Sequence, residues 1–460
     1  MTRTAPYKFS GALLAAACLT LIAAEVAASG LYLPGRGVRP MGRAGAYVAS
    51  GEGDLNSLWY NPANLNFEDD IQLHVDFGGI DLDYDFHRAT RTRDGDEIGY
   101  DPVSNQGPIH VSPQLLIGGP VNDDSSWAFG LYAPYLSPMT FPEDGPQRNA
   151  LVDSGGSALV FLNAAYNHEL SDRVRIGVGV QNAMASYRLV TVTSGYTGMY
   201  GRPEDRDLDI LTEITLEDYF APAANAGVWA RFGPKIHGAI SAQSPVFIRD
   251  NNAELRARMP SHPSFDGARL SDDPTIGGAM KLAPIVRAGL GFDLDPVELE
   301  LAGVWEGWSI FDEIEASPND VEVENVDGLE SIPIGPLTIP KNFNDAFSVR
   351  LGGDVDLTDD LVGRAGYAFE TAAVPDTHHS VFLADGDKHV ASLGASFTVD
   401  RLRFDAGAAY YHLLRRDIDD SEERQVNPTD ADDELTTVIG NGEYSGRYLI
   451  IGLGARYRFE

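Results

Sequence analysis

From about residue 71 onward, apolar and polar positions alternate with a period of two, in segments joined by connections that are short, then long, then short again. The last segment is the clearest. Leu449, Ile451, Leu453, Ala455, Tyr457 and Phe459 fall on one face, and Tyr448, Ile450, Gly452, Gly454, Arg456 and Arg458 on the other. A strand sends successive side chains to opposite faces, so this pattern predicts strands rather than helices. The windows are 71–84, 108–118, 126–136, 157–170, 174–190, 217–232, 235–248, 282–294, 297–309, 345–356, 361–371, 388–399, 401–414 and 445–459. They number about fourteen, and bacterial outer-membrane barrels have an even strand count.

The connections agree. Short links such as 171–173, Gly233-Pro234 and Asp295-Pro296 carry turn residues and alternate with long ones at 85–107, 137–156, 191–216, 249–281, 310–344, 372–387 and 415–444. The expected fold is all-β: a transmembrane antiparallel β-barrel over 69–460, with turns at one end and long loops at the other. Ile71, Leu73, Val75 and Phe77 oppose Gln72, His74 and Asp76 in the first strand, and Phe347, Val349 and Leu351 oppose Ser348 and Arg350 in the tenth. The polar face mixes Ala, Gly, Asn and Tyr with charge, which suits a filled lumen better than a wide charged pore.

The first residues read differently. Arg3 and Lys8 precede an apolar run from Gly11 to Ala24, and Val26-Ala27-Ala28 forms a small-residue cleavage site, so 1–28 is expected to be a signal peptide. The sole cysteine, Cys18, lies within it, leaving a mature chain without thiol chemistry. Residues 29–68 lack the two-residue period and are rich in small residues, including Gly42 and Gly45. Such a segment is too small for a core of its own and needs a cavity to sit in.

Net charge is −34, which argues against nucleic acid as a partner. The acids gather in connections, at Asp94–Glu97, Asp417–Glu423 and Asp430–Glu434, where water and not lipid must face them. His378-His379 show no third metal ligand, and neither a Gly-x-Ser-x-Gly elbow nor a phosphate-binding Gly-Lys motif is present. No cofactor and no enzymatic activity are expected.

The run Gly42-Arg-Ala-Gly-Ala-Tyr-Val-Ala-Ser-Gly-Glu-Gly-Asp-Leu-Asn-Ser-Leu-Trp-Tyr-Asn-Pro-Ala-Asn-Leu65 resembles the N-terminal hatch of the FadL-type outer-membrane transporters, with Asn61-Pro62-Ala63 its most specific element. Val304–Phe311, Arg364–Asp376, Asp385–Lys388 and Ser392–Gly394 are similar to later blocks of the family. The resemblance implies a hatch-plugged barrel of fourteen strands. It also implies passive uptake of long-chain fatty acids or other hydrophobic compounds, with sideways release near a kinked third strand. The implied partners are the hydrophobic ligand, outer-membrane lipids and lipopolysaccharide, and the barrel-assembly machinery. Oligomeric state is not legible.

Site candidates follow. Asn61-Pro62 is a turn initiator, here read as a contact between hatch and barrel. Pro134 and Pro138 interrupt or follow the third strand, marking either its end or a lateral gap. Leu136, Met139 and Phe141 form an apolar group at a loop start, either packing or a first docking surface. Trp305 and Trp308 lie at a strand end, as an interfacial belt or a ligand entrance. Tyr457 and Phe459, beside the final Glu460, are the expected barrel-assembly signal. A general porin, a surface adhesin and an outer-membrane lipid hydrolase are the rival readings.

Overall fold

The computed structural model describes residues 36–67, 70–93, 96–135, 139–198, 201–326, 331–428 and 435–459. The expected signal peptide, Leu136, Pro138, Glu460, Asp94 and Asp430–Glu434 lie outside the described residues.

Fourteen strands close into one antiparallel barrel. They are β1 (Gln72–Arg88), β2 (His110–Asn122), β3 (Ser125–Tyr132), β4 (Ala158–Ser171), β5 (Val174–Ser194), β6 (Asp209–Gly233), β7 (Ile236–Gln243 continued by Val246–Arg258) and β8 (Thr275–Leu282 continued by Ile285–Asp293). The circuit continues through β9 (Val297–Glu306), β10 (Ala346–Asp356), β11 (Leu361–Glu370), β12 (Lys388–Val399), β13 (Leu402–Ile418) and β14 (Gly442–Arg458). Closure is by β1 against β14, from Gln72 opposite Arg458 to Arg88 opposite Gly442. A closed sheet leaves no unpaired edge for lipid to face. Prolines explain the two interrupted strands, because Pro245 and Pro284 have no N–H for the ladder.

The two faces of the wall invert the usual order of a water-soluble protein. Val349 is 61% exposed while its neighbour Arg350 is 2% exposed. Phe347 and Leu351 join Val349 outside; Ser348 is buried inside. Likewise Leu449, Ile451 and Leu453 face out, and Gln72, His74 and Asp76 face in. Apolar side chains remain exposed because their solvent is hydrocarbon.

Several strands run beyond the alternating windows at the long-loop end: β5 reaches Ser194, β6 starts at Asp209, and β7 reaches Arg258. Here both faces meet water or loops, so the alternation fades while the backbone ladder continues. The third strand departs the other way. It ends at Tyr132, short of the expected 136, because Pro134 cannot donate to a neighbour.

Residues 36–67 touch strands all the way round the sheet. They contain two single-turn helices, α1 (Val38–Met41) and α2 (Ser57–Tyr60).

Candidate functional site

The inner segment is held by its backbone. Val48, Ala49 and Ser50 donate their N–H groups to the fully buried Glu300 carboxylate of β9, at 2.7, 3.2 and 2.7 Å. From other strands, Trp229 Nε1 donates to Ala49 O at 3.0 Å, Asn225 Nδ2 to Leu58 O at 2.9 Å and Asn167 Nδ2 to Ala63 O at 2.7 Å. Arg350 Nη1 reaches Ala44 O at 3.1 Å, and Val38 N donates to Asp76 Oδ2 at 3.0 Å. Irregular buried backbone needs such partners, and the inward polar side chains of the strands provide them.

Asn61 is fully buried. Its Nδ2 donates to Val48 O at 3.0 Å, and its Oδ1 accepts from Ala63 N at 3.0 Å. Pro62 starts the short 3₁₀ turn that this bond caps. Gly45 has φ 77°, a conformation glycine adopts without strain, and Gly42 is pressed against Arg364, whose Cδ lies 2.7 Å from where a Cβ would stand. Wall glycines make the matching space: Gly177 lies beneath Pro62-Ala63, Gly227 beneath Asn61, and Gly366 beneath Arg43-Ala44.

Ion pairs add to this anchoring. Asp54 lies 2.7 Å from Arg39 and 2.9 Å from Arg403 of β13, and Asp354 of β10 meets Arg39 and Arg43, each at 3.2 Å. Near the loops, Glu370 bridges Arg350 at 2.7 Å and Lys388 at 3.0 Å, and Lys388 continues to Asp385 at 3.2 Å. Asp385 also accepts N–H bonds from Ala373 and Val374 at 2.8 and 2.9 Å. Burial alone would raise its carboxyl, but Lys388 and the Val374 N–H outweigh that and hold it below the usual range.

Above the segment, an apolar cavity of about 180 Å³ lies among the long loops. Leu255 and Ala257 of β7, Ile276 of β8, Phe265, Ile314 and Phe382 help form its wall. Lys341 also reaches it but is already paired with Glu423 at 2.5 Å. The same apolar cluster runs from Leu255 and Ile276 down to Leu58, Trp59 and Tyr60 of α2. There Trp59 meets Tyr132, Tyr135 and Phe161 edge-on, with ring centroids 5.6, 6.4 and 5.9 Å away. This box stands where β3 stops: the β2 ladder with β3 ends at Gln114, and the β4 ladder at Phe161.

The sequence candidates fall around this arrangement unevenly. Pro134 lies just past the end of β3, between two members of the aromatic box. Met139 and Phe141 are buried within the apolar cluster rather than presented to solvent. Trp305 donates to Asp345 at 3.0 Å and the buried Trp308 to Glu306 at 2.9 Å; neither borders the loop cavity. Tyr457 and Phe459 are exposed outside the short-turn end, their rings 4.9 Å apart. His379 is buried between Tyr84 and Arg416, at 2.9 and 3.2 Å. Among the described residues, no three metal-ligating side chains converge. Trp59, Glu300 and the wall glycines escaped sequence reading. Asparagine-rich inward strand faces were the one available signal.

A closed barrel with an apolar exterior, a polar interior and apolar loop cavity is an outer-membrane transport protein of a Gram-negative bacterium, with short turns on the periplasmic side. The chain belongs to the outer membrane protein transport protein family (OMPP1/FadL/TodX), whose model matches residues 19–459. Members of this family are channels, not enzymes. The chain is 22% identical to the long-chain fatty acid transport protein of Salmonella typhi, over 86% of this chain and 90% of that one. Among solved structures, a Pseudomonas aeruginosa FadL homologue has a TM-score of 0.75 at 17% identity, covering 94% of this chain and 100% of that one. The Ralstonia pickettii toluene transporter TbuX has a TM-score of 0.60 at 13% identity, covering 93% and 99%. These structural likenesses concern the fold.

Proposed function

We propose that this protein carries hydrophobic compounds, of the long-chain fatty acid or hydrocarbon class, passively across the outer membrane. The observation that carries the reading is the apolar cavity in the loops and its continuity with the cluster around Trp59. An apolar solute gains roughly 25 cal/mol for each Å² buried there, so capture needs no chemistry. Residues 29–68 act as the plug, and a shift of this segment weakens binding and lets the solute pass. Release is sideways, beside Pro134, where β3 stops. Tyr457 and Phe459 present the assembly signal to the barrel-assembly machinery, and the outward apolar belt meets lipid and lipopolysaccharide.

The relatives named above, a fatty acid transporter and a toluene transporter, support this class of solute. A general porin fits less well, because residues 36–67 contact the wall on every side. The test is uptake of radiolabelled oleate and toluene by cells lacking their own transporter, with the chain and with Asn61→Ala. Uptake of either that falls in the variant at equal surface level is the expected result. No uptake, with small sugars leaking in, would overturn the reading.

A further inference from the structure

Beneath the inner segment, at the short-turn end, lies a second cavity of about 490 Å³ with a different character. Five arginines reach it: Arg39, Arg364, Arg403, Arg456 and Arg458. The acids on its wall are Glu52 and Asp70. In a chain of net charge −34 this concentration of cations is unexpected.

Most of the charge is accounted for. Arg39 and Arg403 share Asp54, and Arg403 also meets Asp405 at 3.0 Å. Arg364 lies 3.4 Å from Asp354, and Glu52 is engaged by Arg175 and Arg231. Arg456 is the exception. It is 7% exposed and forms no ion pair among the described residues; its one hydrogen bond, at 3.3 Å, goes from Nη1 to the neutral amide oxygen of Gln72. Its Nε has no partner, and neither does Nη1 of Arg364, which is 4% exposed. A buried guanidinium with no carboxylate in direct contact is costly, as it is for Arg456, and donors left unmade on both arginines add to that cost. Both groups border the same cavity, which the exposed Arg458 opens to the periplasmic side.

We propose that this cavity binds a phosphate-type oxyanion, presented either as a soluble phosphate compound or as a phospholipid headgroup of the inner leaflet. Arginine forks match phosphate geometry, and guanidinium groups arriving from several strands suit an anion with more than two oxygens.

The experiment is equilibrium dialysis of radiolabelled inorganic phosphate against the purified full chain in an uncharged detergent at fixed ionic strength. One saturable site is expected, weakened at least about tenfold in Arg456→Gln, as for a lost charge-assisted hydrogen bond. Arg458→Gln, at the exposed rim, serves if the first variant does not fold, and is expected to weaken binding by roughly a factor of three. Competition then separates the sources. Dihexanoyl phosphatidylglycerol displacing phosphate more effectively than glycerol phosphate assigns a lipid headgroup; the reverse assigns a soluble compound. Absence of saturable binding by the folded chain, or binding unchanged in both variants, would overturn the proposal.

Discussion

Asn61 and Gly227 lie so close that a Cβ on Gly227 would stand 1.9 Å from the Asn61 amide oxygen. Asn61 caps the turn of the inner segment and Gly227 belongs to β6, so the wall and the segment are fitted to each other at this point. Gly227→Ala is expected to displace Asn61 and destabilise the fold by about 1–3 kcal/mol, as overpacking does. Gly233→Ala, with nothing within 4 Å, is the neutral control. Denaturation midpoints in detergent check both, and equal midpoints would contradict the fit.

Glu300 holds three successive N–H groups of the segment. Glu300→Ala leaves those donors buried and unpaired, at about 1–3 kcal/mol each before relaxation. The barrel ladder is untouched, so the expected outcome is a folded barrel with a loosened segment. Entry of small sugars into cells, or channel conductance, should rise. A tight, unaltered barrel would argue that the segment does not depend on this carboxylate.

Asp385 gives a pH expectation. Its carboxyl is held below its ordinary value, so the stability it contributes is fully present above about pH 4 and is lost as pH falls through the lower folded value. The loop it ties to Ala373 and Val374 should therefore resist protease at pH 5 and open only in stronger acid. Asp385→Asn should remove this acid step. Opening between pH 6 and 5 in the unaltered chain would contradict the assignment.

Much of the barrel was legible because lipid imposes alternation: each outward position must be apolar, and the period of two survives in any window that crosses the membrane. Outside that zone the constraint lapses, so no alternation marks the strand ends at Ser194, Asp209 and Arg258. The small-residue segment and Asn61-Pro62 were recognisable as a unit. Its partners were not, since Gly177, Gly227 and Glu300 are distant in sequence and carry no local signature. For Met139 and Phe141 the sequence left packing and a docking surface both open, and the structure packs them in the interior.

Pro134 tests the sideways route. Pro134→Val restores an N–H and a strand-forming side chain where β3 now stops, so the ladder can extend across the break. Uptake should slow while the amount of folded barrel stays the same. Unchanged uptake would place the exit elsewhere.

Hydrophobic solutes that pass through the loop cavity should be stopped when it is filled. Ala257 of β7 borders the cavity, and Ala257→Trp would occupy it without adding charge. Initial rates of toluene and oleate uptake should be compared for the two chains at equal surface level. Uptake should saturate in the unaltered chain and fall by about tenfold or more in the variant, the effect of losing a few kcal/mol of apolar binding. Equal rates in the two chains would contradict it.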